Sequence, residues 1–130
     1  MKVLLDTHCW LWWIAQPEKL NEVARREIID TKNDVYLSAA SSWEIAIKYS
    51  LGKLVLPEPP EDFVPKRLAR DAIFPLPVQH LHALHVCKLP YHHKDPFDRL
   101  IISQAMIEGI PIMTVDRQFE SYDVKLIWGD

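Results

Sequence analysis

Two hydrophobic patterns alternate along the chain. Short apolar runs predict strands, and between them apolar residues recur every three or four positions, as on one face of a helix. The predicted strands are 2–5, 35–38, 73–76, 112–115 and 124–127, and the predicted helices are 7–13, 22–31, 41–51, 61–71, 78–87, 97–108 and 117–121. Strands that alternate with helices predict a parallel sheet covered on both faces, which is an α/β fold.

The length and the loops favour one domain spanning residues 1–130. Prolines crowd the middle of the chain, but the segments on either side supply too little core to stand alone, so 57–60 is interpreted as a loop leading into a helix. Pro75 and Pro77 place the third strand at an edge of the sheet. Hydrophobic residues make up 48% and charged residues 25% of the chain, which is ordinary globular usage.

The composition also indicates a compartment. No apolar run approaches the roughly 20 residues that a membrane span needs, and Asp6 and His8 interrupt the apolar start, so we expect a folded first strand rather than a signal peptide. Cys9 and Cys87 match neither a metal spacing nor a disulfide framework. We therefore expect two reduced, mostly buried thiols in a cytoplasmic protein with no membrane partner.

Four carboxylates fall where elements meet. Asp6 and Asp116 end the first and fourth predicted strands, whereas Glu44 and Asp98 lie in the first turns of helices. Ligands of open parallel sheets gather beyond the carboxyl ends of the strands, where the strand order reverses. If the first strand is central, with the second and fourth on either side of it, all four acids converge there.

Such convergence is costly without a cation. Two carboxylates about 5 Å apart repel by roughly 3 kcal/mol at an effective dielectric of about 20, so either some stay protonated or divalent cations bind. Carboxylate oxygens suit Mg²⁺ or Mn²⁺, and such a site could activate water against a phosphodiester. The net charge of −3 argues against broad electrostatic binding of nucleic acid but not against an enzyme of this kind.

Helix capping is the competing explanation for each acid. Ser41 and Glu44 have the spacing of a capping box, and Asp95, Pro96 and Asp98 have the pattern of a helix start. Asp6 and Asp116 could each cap a helix as well. Capping alone explains less well why all four acids fall at one sheet edge.

Other side chains leave two interpretations open. Lys48, one turn after Glu44, is either half of a surface ion pair or a cation beside the acids that meets substrate phosphate, and Arg99 beside Asp98 has the same alternatives; the surface pair is favoured for both. His93 could orient Asp95 or meet a phosphate.

Histidine and tryptophan clusters are assigned to packing and to the surface. His82 and His85 share a helix face but lack partners at zinc spacing, so a solvated face is favoured over a zinc site. The tryptophans at positions 10, 12 and 13 favour packing over a base-stacking platform.

Four ordered motifs resemble one family. The segments are 4–8 (LLDTH), 38–48 with 52–54 (SAASSWEIAIK and GKL), 92–102 (HHKDPFDRLII) and 113–116 (MTVD). Together they resemble the PIN domain, and more closely the VapC-type toxins of bacterial and archaeal toxin–antitoxin pairs. The resemblance implies a three-layer α/β/α sandwich around a central parallel sheet of four or five strands.

The resemblance also implies a function. Such proteins are Mg²⁺- or Mn²⁺-dependent ribonucleases that leave a 5′-phosphate and a 3′-hydroxyl, and they form homodimers bound by a cognate antitoxin. The matching catalytic and metal-binding acids are, in order, Asp6, Glu44, Asp98 and Asp116. Thr7 matches the hydroxyl residue after the first acid, Thr114 the one that often accompanies the fourth, and Asp95 is assigned a supporting or capping role.

The leading hypothesis is therefore a metal-dependent endoribonuclease that acts on RNA. Asp6, Asp98 and Asp116 would hold the cation, with Glu44 as a further ligand or as the base that orients water. The alternatives are a phosphoacceptor receiver-like domain and a non-catalytic binding module whose acids only cap helices. A receiver needs an aspartate at the end of its third strand, and 73–78 carries no acid.

Overall fold

The computed structural model describes residues 1–130, which form five strands and six α-helices. The strands are β1 (Lys2–Leu5), β2 (Asp34–Ser38), β3 (Phe74–Leu76), β4 (Ile112–Thr114) and β5 (Leu126–Trp128). The helices are α1 (Thr7–Ala15), α2 (Glu22–Ile29), α3 (Ala39–Ser50), α4 (Pro60–Asp71), α5 (His80–His85) and α6 (Pro96–Glu108). Short 3₁₀ turns lie at Pro17–Lys19, Val86–Lys88 and Arg117–Ser121. Every predicted element is present, with ends that differ by a few residues.

All five strands are parallel, in the order β3-β2-β1-β4-β5. β1 is central, which is the condition under which the four acids were expected to converge, and β3 lies at an edge, as the sequence predicts. Leu5, the last residue of β1, pairs with Leu37 on one side and Met113 on the other. Because the strand order reverses at β1, the residues that follow these strand ends face one crevice. A receiver domain has the order 2-1-3-4-5, so that alternative does not fit this sheet.

Successive residues of β1 face opposite sides of the sheet and separate two apolar layers. Val3 and Leu5 pack with Trp10 and the inner faces of α2 and α4. Leu4 faces the other way, against Ile101 of α6 and its neighbours. Strands buried on both faces are the expected consequence of helices covering a parallel sheet, so the three-layer prediction is confirmed.

The start of α3 differs from the prediction. Ser38 rather than Ser41 caps the helix, because the Ser38 hydroxyl accepts the backbone N–H of Ala40 at 2.9 Å. Glu44 therefore lies in the second turn, and the capping-box explanation of Glu44 is wrong. Asp95 caps α6 by accepting the N–H of Asp98 at 3.0 Å, with Pro96 at the first helical position, as predicted.

Two surface expectations are also wrong. His82 is only 1% exposed and its Nδ1 accepts the backbone N–H of Gln79, so it belongs to the packed interior rather than to a solvated face. Cys87 is exposed, whereas Cys9 is buried as expected. The packing interpretation holds for Trp10, which is fully buried, and Trp12 and Trp13 pack against the same layer. None of the helices is long and apolar enough to cross a membrane.

Candidate active site

The four predicted acids line one groove of about 480 Å³ at the carboxyl end of the sheet. Its wall also includes residues that sequence reasoning did not single out, on α1 and in the loop after α3. The lining residues are Asp6, Thr7, His8, Leu11, Trp12, Ala15, Gln16, Glu44, Lys48, Lys53, Leu54, Asp95, Asp98 and Asp116. The predicted convergence of these acids on one groove therefore exists in the structure.

Asp6 is held by both of its oxygens at the start of α1. Its Oδ1 accepts the N–H of Cys9 at 2.7 Å, and its Oδ2 accepts the hydroxyl of Thr114. The side chain is almost completely buried. Burial raises the pKa of Asp6 and outweighs these hydrogen bonds, which lower it. Asp6 thus caps a helix and also presents its carboxylate to the groove.

The two threonines have different roles. Thr114 links two of the acids, since its hydroxyl donates to Asp6 and accepts the backbone N–H of Asp116 at 3.0 Å. Thr7 donates instead to the Ser41 hydroxyl at 2.8 Å, which ties α1 to α3 beneath the groove. Thr114 therefore orients the Asp6 carboxylate directly and holds the backbone of Asp116, whereas Thr7 ties α1 to α3.

Glu44 projects from α3 into the groove, where one of its carboxylate oxygens is hydrogen-bonded and the other has no hydrogen-bond partner. Lys48 donates to its Oε2 at 2.6 Å. Its Oε1 is buried and has no hydrogen-bond partner. The expected ion pair therefore forms; its glutamate side chain is 8% exposed and its lysine side chain 48%, and both residues line the groove. The hydrogen bond to Glu44 raises the pKa of Lys48.

Asp98 is the acid whose ionisation is most strongly opposed. Its pKa is raised to about 8, first by burial and then by the carboxylates of Asp95, Asp6, Glu44 and Asp116. The repulsion inferred from the sequence is therefore present in the groove. Asp116 lies at the same end, where its Oδ1 caps the turn that follows by accepting the N–H of Gln118.

His93, whose role the sequence left open, touches two of these acids. Its Nε2 lies 2.8 Å from Oδ2 of Asp98 and 3.1 Å from Oδ2 of Asp116. The three side chains bring one possible ligand atom each to within 4.8 Å of one another. The only signal in the sequence was the position of His93 just before the acidic start of α6.

Arg99 does not form the surface ion pair that its position beside Asp98 suggested. Its guanidinium is buried and donates to the carbonyls of Pro90, His93, Val86 and Leu89. The hydrogen bonds of the guanidinium therefore hold together the loop before α6, and Arg99 is not available to bind a substrate.

The groove fits a hard divalent cation. Its donors are carboxylate oxygens, the ligands that Mg²⁺ and Mn²⁺ prefer. The buried Oε1 of Glu44 lacks a partner, a situation that is costly unless something else occupies it. The pKa of Asp98 is raised first by burial and then by the negative charge of the neighbouring carboxylates, which a bound cation would offset. The protein is thus of the three-layer α/β/α class, with a carboxylate cluster at the switch point of its parallel sheet.

Comparison with known proteins identifies the family. Residues 3–125 match the PIN domain family, so the chain belongs to it. "Ribonuclease VapC16" of Mycobacterium tuberculosis is 48% identical over 68 residues, which cover 52% of this chain and 48% of that protein, so the alignment spans about half the length of each. "Ribonuclease VapC22" of the same organism is 29% identical over 121 residues, 92% of this chain and 91% of that protein.

Solved structures share the fold. A chain of VapBC2 from Rickettsia felis, bound to a DNA fragment from their promoter, superposes with a TM-score of 0.76 at 18% identity and covers 100% of both chains. VapBC from Salmonella typhimurium, also bound to DNA, gives a TM-score of 0.71 at 21% identity and covers 98% of this chain and 97% of that one. The resemblance to VapC-type PIN proteins drawn from the sequence is confirmed.

Proposed function

We propose that this chain is a divalent-metal-dependent endoribonuclease and the toxin of a toxin–antitoxin pair. The observation that carries the proposal is the groove in which Asp6, Glu44, Asp98 and Asp116 meet, with one glutamate oxygen left free. The relatives named ribonucleases support the activity, and nucleases of this family depend on divalent metals in general. RNA is the substrate and the metal is Mg²⁺ or Mn²⁺.

The chain's own groups divide the work. Asp6, Asp98 and Asp116 would hold the cation, which when bound neutralises charge on the phosphodiester and makes water more acidic. The free Oε1 of Glu44 accepts a proton from the attacking water, while Lys48 keeps the other oxygen of that carboxylate fixed. Water then adds to phosphorus as the bond to the 3′-oxygen breaks, and that oxygen takes a proton from solvent, which gives a 5′-phosphate and a 3′-hydroxyl.

The partners follow from the same family relationship. The VapBC structures support a cognate antitoxin as the partner that restrains the activity. We also propose a homodimer. Neither partner needs to alter the groove, because every acid of the proposed centre comes from this one chain.

The test is cleavage of total RNA by antitoxin-free protein in Mn²⁺, in Mg²⁺ and in EDTA. We expect discrete fragments that require metal and that disappear with Asp98→Asn. Asp123→Asn, which changes an exposed carboxylate outside the groove, is the matched control and should cleave like the unchanged protein. Metal-dependent fragments that persist in Asp98→Asn would refute the site. Intact RNA together with no Mn²⁺-induced rise in melting temperature would favour the non-catalytic module.

A further inference from the structure

One buried histidine contacts two carboxylates of the acid cluster. His93 is 7% exposed, and its ring nitrogen Nε2 lies within hydrogen-bond distance of both Asp98 and Asp116. These two carboxylates come from α6 and from the end of β4, 18 positions apart in the chain. The ring therefore bridges α6 and the end of β4 at the groove.

The other ring nitrogen indicates where the proton lies. Nδ1 of His93 accepts the backbone N–H of Asp95 at 3.4 Å. A neutral imidazole that accepts at Nδ1 carries its proton on Nε2. Nε2 is then a donor shared between the two carboxylates and has no lone pair to offer a cation.

A set of buried hydrogen bonds fixes the ring in this place. The backbone N–H of His93 donates to the Tyr122 hydroxyl at 2.8 Å, and that hydroxyl donates to the carbonyl of Pro90 at 2.8 Å. Arg99 donates to the carbonyls of both Pro90 and His93. The ring also packs edge-on against Phe119, with centroids 5.9 Å apart. The position of Nε2 is thus set by the protein before any ligand arrives.

We propose that His93 is a positioning residue of the nuclease centre. Its Nε2–H donates to Asp98 and Asp116 and orients both carboxylates so that their remaining lone pairs face the cation. This inference rests on the proposed function. Groups that hydrogen-bond to metal ligands orient them, and losing one typically weakens metal binding about 10- to 100-fold. His93 acts through the carboxylates rather than as a ligand.

The test measures Mn²⁺ affinity directly, from the electron paramagnetic resonance signal of free Mn²⁺ during titration. We expect His93→Ala to weaken binding about 10- to 100-fold. His93→Gln keeps an N–H donor at similar reach and should recover most of the affinity. His80→Ala removes an exposed histidine outside the groove and is the matched control, with unchanged affinity expected. Circular dichroism checks that each variant is folded.

Pulsed resonance on the unchanged protein with bound Mn²⁺ supplies an independent readout that needs no variant. We expect no strong ¹⁴N coupling of the kind that a directly bound imidazole gives. Strong coupling that is lost in His93→Gln would overturn the proposal in favour of a nitrogen ligand. Equal Mn²⁺ affinity of His93→Ala and the unchanged protein would also overturn it. If the unchanged protein binds no Mn²⁺, the proposed function itself fails and this inference falls with it.

Discussion

At the scale of single residues, capping and cation binding are not competing roles here. Asp6 caps α1, Asp95 caps α6 and Asp116 caps a 3₁₀ turn, yet all three line the groove. The reason is geometric, since in a parallel α/β sheet the strand ends lead into helix starts at the crevice, where free backbone N–H groups favour carboxylates. A carboxylate that caps a helix at the crevice is therefore also in place to meet a cation.

Glu44→Gln tests an acid of the groove that caps no helix. The amide keeps the shape but cannot take a proton from water at Oε1, so we expect single-turnover RNA cleavage to fall by about 10²-fold or more. Glu58→Gln is the matched control, because Glu58 also pairs with a lysine, Lys66, but outside the groove. A cleavage rate for Glu44→Gln within about threefold of the unchanged protein would refute the role of Glu44 as base.

At the scale of elements, the sequence predicts those structural features that depend on neighbouring residues alone. The edge position of β3 and the cap of α6 follow from nearby prolines and an aspartate. The start of α3 could not be predicted, because two serines offer caps and distant contacts decide between them. Ser38 bonds to Gln104 and Ser41 lies under Thr7, so only Ser38 caps.

Within the site, the conformation of the loop before α6 also depends on distant contacts, which local sequence does not predict. His93 is positioned by Tyr122, 29 residues away, and by Arg99, whose guanidinium donates hydrogen bonds to buried carbonyls. A sequence places His93 near Asp98 but contains no local signal that the ring reaches both Asp98 and Asp116. Asp6, Asp98 and Asp116 could be predicted because each lies where an element ends or starts; the histidine could not, because its position depends on tertiary contacts.

Arg99→Met tests the loop as a structural unit. The change removes the donors of several buried carbonyls, and each unsatisfied buried group costs about 1–3 kcal/mol. We expect the free energy of unfolding, from urea titration, to fall by about 3 kcal/mol. Arg70→Met on α4 is the matched control, because Arg70 is exposed. A loss below about 1 kcal/mol for Arg99→Met would mean that water readily replaces the guanidinium.

At the scale of the whole molecule, charge and topology act together. The chain carries a net charge of −3, and its strand order gathers acids at one end of the sheet. A polyanion approaching that end meets repulsion unless a cation intervenes, with Lys48 and Lys53 the cationic side chains on the groove wall. The central position of β1, on which the expected convergence of the acids depended, is what makes this arrangement possible.

The same gathered charge predicts how stability varies with pH. The pKa of Asp98 is raised to about 8, chiefly by burial, whereas in the unfolded chain the carboxyl titrates near 3.8. Between these values the folded protein keeps a proton that the unfolded chain has lost. The free energy of unfolding of metal-free protein should therefore fall as pH rises from about 4 to 8, by at most about 1.4 kcal/mol per pH unit from this group.

Urea unfolding of EDTA-treated protein at pH 5, 6.5 and 8 measures that fall. Asp98→Asn removes the titrating group and should flatten the curve, whereas Asp123→Asn should leave it unchanged. Mn²⁺ should stabilise the unchanged protein more at pH 8 than at pH 5, because cation and proton compete for the same carboxylates. An equally steep fall in Asp98→Asn would show that the pH dependence arises from groups other than Asp98.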